Sequence, residues 1–251
     1  MTGRPRVRVA GVEFDHVDMP EATERIAELA GRRPMSTVVT PNVDLVVIAN
    51  REPAFMAALR AADLVVADGQ PVVWASRLIG RGLPERVTGA DLLPALIALA
   101  AERGLTVFLL GGREGVAEAA SRRLRATSPQ VRIVGAAGPP EAVIDRPEVI
   151  SQINMARPDL LFVGFGAPKQ ELWLERHRAT LDVGVGIGVG GSLDLAAGRL
   201  PRAPQWMQRW GLEWLFRLAR EPRRLWRRYL VRDPAFVWHL LRDLRRSPGD
   251  G

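Results

Sequence analysis

Six short apolar runs, each followed by a stretch with helical spacing, constrain this chain more than any other feature of its sequence. The runs are Ser36–Thr40, Leu64–Ala67, Thr106–Leu110, Val131–Val134, Leu160–Gly164 and Val183–Gly188. Between them lie amphipathic stretches such as Ala90–Arg103 and Val116–Thr127, with apolar residues three and four apart. Near-continuous apolar strands separated by helices of this length predict a mostly parallel sheet with helices on both faces, a Rossmann-like α/β fold. The pattern stops near Gly198, so the reading is an α/β core over 1–198 and a helical appendage over 199–251. In such sheets ligands sit beyond the carboxyl ends of the strands.

A site is therefore sought just past the end of each run. The first run leads into Thr40-Pro41-Asn42, the second into Asp68-Gly69 and the third into Gly111-Gly112. The fifth continues as Gly164-Phe165-Gly166-Ala167-Pro168-Lys169-Gln170-Glu171, and the last as Gly188-Val189-Gly190-Gly191-Ser192. Polar groups and glycines recurring at one sheet edge suit a phosphorylated ligand. Gly111-Gly112, ahead of a helix expected near Glu114, offers free N–H donors to an anion. Gly186-x-Gly188-x-x-Gly191 matches the dinucleotide fingerprint in form, but it falls late in the chain and not in an opening βαβ unit. Its glycines, Gly190 and Gly191 included, serve phosphate contact or close strand-to-helix packing equally well.

The polar residues also carry two readings each. Asp68 is either a general base at a strand end or the N-cap of a helix starting near Pro71. Asp91, after Thr88-Gly89-Ala90, is open to a plain helix-start role. Lys169, the one lysine of the chain, is a phosphate ligand or a solvated cation, and Gln170 offers a donor and an acceptor to a sugar.

Several chemistries are excluded. The chain has no cysteine, hence no disulfide framework, thiolate metal site or cysteine nucleophile. Its three histidines, His16, His177 and His239, are far apart, and no Asp-x-Asp occurs to hold a divalent ion against a diphosphate. No metal and no cofactor are expected, so any phosphates fall to Arg, Lys and backbone amides. Neither a secretory leader nor a membrane-spanning stretch is visible.

Charge is distributed unevenly. From Arg199 onward there are 13 arginines against 5 acids, whereas the chain as a whole carries +7. Five of the seven tryptophans (Trp206, Trp210, Trp214, Trp226, Trp238) share that segment. Spacing of i, i+4, i+8 puts Trp206, Trp210 and Trp214 on one face of a single helix. Tryptophan and arginine together suit an anionic membrane surface, on which such a segment lies without spanning it. A basic face on a packed helix is a second reading, and a nucleic-acid patch a third, although no recognised nucleic-acid motif accompanies it.

Taken in order, Thr40-Pro41-Asn42, Ala67-Asp68-Gly69, Arg86-Val87-Thr88-Gly89-Ala90-Asp91, Gly164 to Glu171, Gly188-Val189-Gly190-Gly191, Arg202-Ala203-Pro204, Gly211-Leu212-Glu213-Trp214-Leu215, Arg217 and Glu221-Pro222 resemble the WecG/TagA/CpsF family of bacterial glycosyltransferases. The resemblance spans about residues 10 to 230. It departs at Ser192-Leu193-Asp194, where relatives often have Phe-Asp after the double glycine. The resemblance implies an inverting, metal-independent transfer of N-acetylmannosamine or a related sugar from a UDP donor to N-acetylglucosamine on undecaprenyl diphosphate. That step belongs to teichoic acid or related envelope-glycan synthesis on the cytoplasmic face of the membrane. It also implies Asp68 as the base, Thr40, Arg86 and Gln170 as positioning or charge-stabilising residues, and Asn42 as a cleft residue. Arg217, Arg224 and Arg227 are then expected to meet the lipid-linked diphosphate. A second copy of the chain is a further expected partner, since an appendage that docks on its own core can also cover an exposed patch on a neighbour.

Overall fold

The structure is a computed structural model and describes residues 5–140 and 143–245. The chain opens with an antiparallel hairpin, β1 (Arg6–Val9) and β2 (Val12–Asp15), then α1 (Met19–Ala30). The main sheet is built from β3 (Ser36–Val39), β4 (Leu64–Val65), β5 (Thr106–Gly111), β6 (Arg132–Ala137), β7 (Leu160–Gly164) and β8 (Val185–Gly188). Its order is β4-β3-β8-β7-β5-β6, and every pairing is parallel. All six apolar runs are thus strands of one sheet. Connecting them are α2 (Val43–Ala49), α3 (Pro53–Ala61), α4 (Gln70–Leu78), α5 (Gly89–Arg103), α6 (Val116–Thr127), α7 (Pro147–Ala156) and α8 (Lys169–Arg176), and α9 (Ser192–Ala196) follows the last strand.

Strand residues alternate between two helical layers, which is why the runs read as continuously apolar. Val107, Leu109, Leu160 and Phe162 pack with Leu92, Leu96, Ile97 and Ala120 of α5 and α6. Their neighbours Phe108, Leu110, Leu161 and Val163 face Ile153, Trp173 and Leu174 of α7 and α8. The hairpin, which the sequence pattern does not reveal, guards the edge of the sheet. Buried Asp15 accepts the Val65 amide at 2.9 Å and is neutralised by Arg25 at 3.0 Å and Arg6 at 3.5 Å.

The appendage consists of α10 (Gln205–Arg209), α11 (Glu213–Arg220), α12 (Pro222–Arg227), a π-helical turn over Arg228–Arg232 and α13 (Ala235–Leu244). The single helix expected to carry Trp206, Trp210 and Trp214 is therefore two helices. Gly211 breaks it: its φ is +68°, and a Cβ there would come within 2.7 Å of Gln70. The three tryptophans are nonetheless all exposed. The end of the appendage returns to the core, where Phe236 and Leu240 of α13 join the cluster around Val46, Val47 and Phe55. Around that apolar seam, Asp243 accepts the Gly11 amide at 2.8 Å and Arg242 donates to Asn50 at 2.9 Å.

Candidate active site

The cleft lies beyond the carboxyl ends of β4, β3 and β8. Asp68 leaves β4 three residues after Val65, and its amide donates to the Pro41 carbonyl at 3.1 Å, which fixes it beside the segment following β3. It does not cap α4. Gly69 occupies the N-cap position, and α4 has no side-chain cap bond, so the Asp68 carboxyl is not spent on that helix. It accepts a long bond, 3.5 Å, from the Gly89 amide at the start of α5. Thr40 Oγ1, Ser192 Oγ and the Val189 backbone converge on the same spot, within 3.5–3.7 Å of where a Cβ on Gly89 would sit. Asp91 has the helix-start role: Thr88 caps α5 and donates its hydroxyl to Asp91 at 2.7 Å.

The charges facing Asp68 come from two parts of the chain. Arg86 precedes α5, whereas Glu213 and Arg217 sit on α11 of the appendage. Glu213 pairs with Arg86 at 3.7 Å and with Arg217 at 2.9 Å. Burial pushes the Asp68 carboxyl up to about 6; Arg217 and, more weakly, Arg86 and the Gly89 amide oppose this, and Glu213 reinforces it. Although desolvated, Asp68 is only half-buried. Burial opposes the charge on Arg217, but the facing Glu213 and Asp68 outweigh it and raise its pKa.

Asn42 has a structural task at the rim. Its Oδ1 accepts the Leu45 amide at 3.2 Å, capping α2, and also accepts Arg228 Nη2 at 3.1 Å. Buried Asp44, at the second position of α2, pairs with Arg228 at 3.1 Å and with Arg232. Burial and the nearby Asp44 charge push Asp233 up to about 6. The π-helical turn is thereby fastened to α2 beside the cleft. Asp44 and Arg232 do not stand out in the sequence, and nothing there links Arg228 of the arginine cluster to Asp44, because no local pattern joins residues so far apart.

Gln170 differs most from its expected place. It is buried, and its Oε1 accepts the Gly190 amide at 3.0 Å while its Nε2 donates to Glu171 at 2.8 Å. Rather than facing a sugar, the amide holds the loop after β8. Gly188 allows this, since a Cβ there would meet Gln170 Nε2 at 2.7 Å and Glu171 Oε1 at 2.8 Å. Burial pushes Glu171 up to about 7, against the lowering effect of the Gln170 bond.

The expected phosphate cradle is also partly occupied. The Gly112 amide donates to the Gly164 carbonyl at 2.9 Å, and α6 starts at Val116 with Gly115 as its N-cap, close to the expected start near Glu114. Gly111 is buried beneath the same loop, and the Gly190 amide is taken by Gln170, whereas Gly191 is exposed at the N-cap of α9. Lys169 is exposed at the first position of α8. Arg217 faces the cleft; Arg227 is exposed and lies over the Trp226 ring at 5.4 Å. The Arg224 side chain lies outside the described residues. Arg202 ties the start of the appendage to α5 through Asp91 at 2.5 Å.

No three of His, Asp and Glu among the described residues gather as a metal-ligand set. His177 is structural, paired with Asp145 at 2.9 Å against the Trp173 ring. No helix among the described residues is long and apolar enough to cross a membrane.

Known proteins match this chain over nearly its whole length. The family described as "Glycosyl transferase WecG/TagA/CpsF family" matches residues 7–249. A protein of Bacillus spizizenii, named N-acetylglucosaminyldiphosphoundecaprenol N-acetyl-beta-D-mannosaminyltransferase, is 35% identical over 210 residues, 84% of this chain and 80% of that protein. One of the same name from Staphylococcus aureus is 31% identical over 243 residues, 96% of this chain and 94% of the relative. This is a glycosyltransferase on a Rossmann-like core. More particularly, the chain belongs to the WecG/TagA/CpsF family.

Proposed function

We propose that this enzyme transfers an N-acetylmannosaminyl group, or a closely related sugar, from a UDP donor to N-acetylglucosamine carried on undecaprenyl diphosphate, in envelope-glycan synthesis. The observation that carries the reading is Asp68: a half-buried carboxylate, raised to about 6, facing Arg86 and Arg217 at the sheet edge where such folds bind nucleotides. A carboxylate of that basicity is ionised at neutral pH and still a competent proton acceptor.

In the proposed step an acceptor hydroxyl loses its proton to Asp68 and attacks the anomeric carbon. The new C–O bond forms as the bond to the UDP oxygen breaks, and UDP departs with the electron pair. The relatives' names specify a β-linked product, which a single displacement makes from an α-linked donor. Arg86 and Arg217 neutralise charge developing on the diphosphate, so the step as proposed needs neither a metal nor a cofactor. Thr40, in contact range of Gly89, lines the floor beneath the sugar, while Gln170 acts at one remove by holding the Gly190 loop.

Trp206, Trp210, Trp226, Leu230, Val231 and Trp238 of the appendage are all exposed. Apolar exposure on this scale supports a lipid surface in preference to a nucleic acid, and we place the enzyme at the inner face of the membrane, where its lipid-linked acceptor lies.

The test is direct. Purified protein releases UDP from UDP-N-acetylmannosamine only when an N-acetylglucosaminyl-diphosphate lipid is supplied, and Asp68→Asn lowers the rate by at least about 100-fold. Transfer by Asp68→Asn at the wild-type rate rejects the base; UDP release with no acceptor rejects the transfer.

A further inference from the structure

Glu213 is out of place on simple electrostatic grounds. A cleft that accepts diphosphates favours cations, yet this carboxylate is only 14% exposed and faces the same space as Asp68. Its contacts explain it. Glu213 Oε2 lies 3.7 Å from Arg86 of the core, and its Oε1 accepts Arg217 Nη2, one turn further along α11, at 2.9 Å. Arg86 is 18% exposed and Arg217 is 50% exposed, so the core end of the bridge is the drier one.

Element by element, the groups acting on Asp68 are Arg86 ahead of α5, the Gly89 amide at the start of α5, and Glu213 with Arg217 on α11. Tyr229, on the π-helical turn, faces Arg217. Of these groups, Glu213 alone touches a cation of the core and a cation of the appendage at once. We propose that Glu213 is a positioning residue for sugar transfer: it fastens Arg217 of the appendage and Arg86 of the core to one carboxylate, so that the charged shell of Asp68 is complete only when α11 is docked. This rests on reading Asp68 as the base.

The bridge has a second consequence. Two guanidiniums facing Asp68 without Glu213 would favour the ionised carboxylate and weaken it as a proton acceptor. Glu213 offsets that effect, so one residue both places the cations and keeps the base basic.

The experiment is a pH profile of kcat/KM, with UDP-N-acetylmannosamine and a water-soluble N-acetylglucosaminyl-diphosphate acceptor, for wild type, Glu213→Gln, Glu213→Asp and Asp68→Asn. Glu213→Gln keeps the shape and loses the charge, and its acid limb moves to lower pH by about half a unit or more. Glu213→Asp keeps the charge but shortens the reach; its acid limb stays in place while kcat/KM falls about tenfold at every pH. A merely structural role would lower activity without moving the limb. An unmoved limb in Glu213→Gln overturns the proposal, and so does wild-type kcat/KM in Glu213→Asp, a variant informative even if Glu213→Gln does not fold. If Asp68→Asn is inactive and either result occurs, the inference alone fails. An active Asp68→Asn fails the underlying assignment of the base instead.

Discussion

Arg228 Nη2 donates to Asn42 Oδ1 at 3.1 Å, and that oxygen also accepts the Leu45 amide that starts α2. One rim residue of the cleft is thereby bound to the appendage 186 positions away. The same guanidinium neutralises buried Asp44, so its loss would leave that carboxylate to Arg232. Arg228→Ala is expected to cost about 1–3 kcal/mol, because a buried charge loses a partner. The urea midpoint of unfolding measures this, and protease sensitivity should rise first within α12 and α13. An unchanged midpoint would mean that Arg232 alone satisfies Asp44.

Asp68 ties activity and stability to pH in opposite senses. A base raised to about 6 makes kcat/KM climb about tenfold per unit up to that pH and then level off. For stability, the folded state raises this carboxyl above its usual 3.8, so it favours the protonated form. That contribution is present below pH 3.8 and is lost as pH rises through about 6. At neutral pH Asp68→Asn is therefore inactive and more stable than wild type, by up to about 2 kcal/mol. Thermal melts at about pH 5 and pH 7.5 check the sign: the gain should appear at the higher pH and shrink at the lower.

The sheet is legible in the sequence because its strands are buried on two faces. Leu160, Leu161, Phe162 and Val163 leave no polar gap, so the run announces itself without help from distant residues. The hairpin is not, because Arg6-Val7-Arg8-Val9 alternates over only four residues. Strand-end logic also puts Thr40, Asp68 and Gln170 at one edge, where they are. It cannot tell that Gln170 turns inward, since that depends on Gly188, on a different strand, leaving room for its side chain. Nor can it find Asp44 or Glu213, whose partners are set by how the appendage folds back. The tryptophan spacing misleads for a local reason: i, i+4 periodicity says nothing of a left-handed glycine at 211.

Gln170 makes a sharper claim than a generic cleft residue would. Truncation to Ala removes the acceptor of the Gly190 amide and the donor to Glu171 together, leaving buried groups unpaired. Gln170→Ala should therefore lose about 1–3 kcal/mol of stability as well as activity. A residue that only touched substrate would show the activity loss with an unchanged melting temperature, and that result would return Gln170 to the substrate shell.

Membrane association is best tested by point substitution, because cutting the chain after Leu200 would also strip Phe236 and Leu240 from the core. Trp210 and Trp238 are 72% and 66% exposed, so replacing both with Ser leaves the packing intact. The double variant should bind vesicles containing anionic lipid at least about threefold more weakly, and wild-type binding should fall as salt rises. Equal sedimentation of the two proteins with such vesicles would reject the surface.

Glu171 provides a pH dependence that is independent of catalysis. Its side chain is buried against Gly188, one oxygen accepts Gln170 Nε2, and Oε2 has no hydrogen-bond partner. Burial raises the acid from its usual 4.5 to about 7, so the folded state prefers it protonated. Its contribution to stability is full below pH 4.5 and disappears as pH climbs through about 7, a loss on the order of 2 kcal/mol. Glu171→Gln removes the titration but keeps an oxygen for the Gln170 bond. The difference in melting temperature between the two proteins should therefore be small at about pH 5 and favour the variant at about pH 8. A constant difference across that range would show that the carboxyl does not titrate there, and that the Gln170–Glu171 pair is held in one charge state throughout.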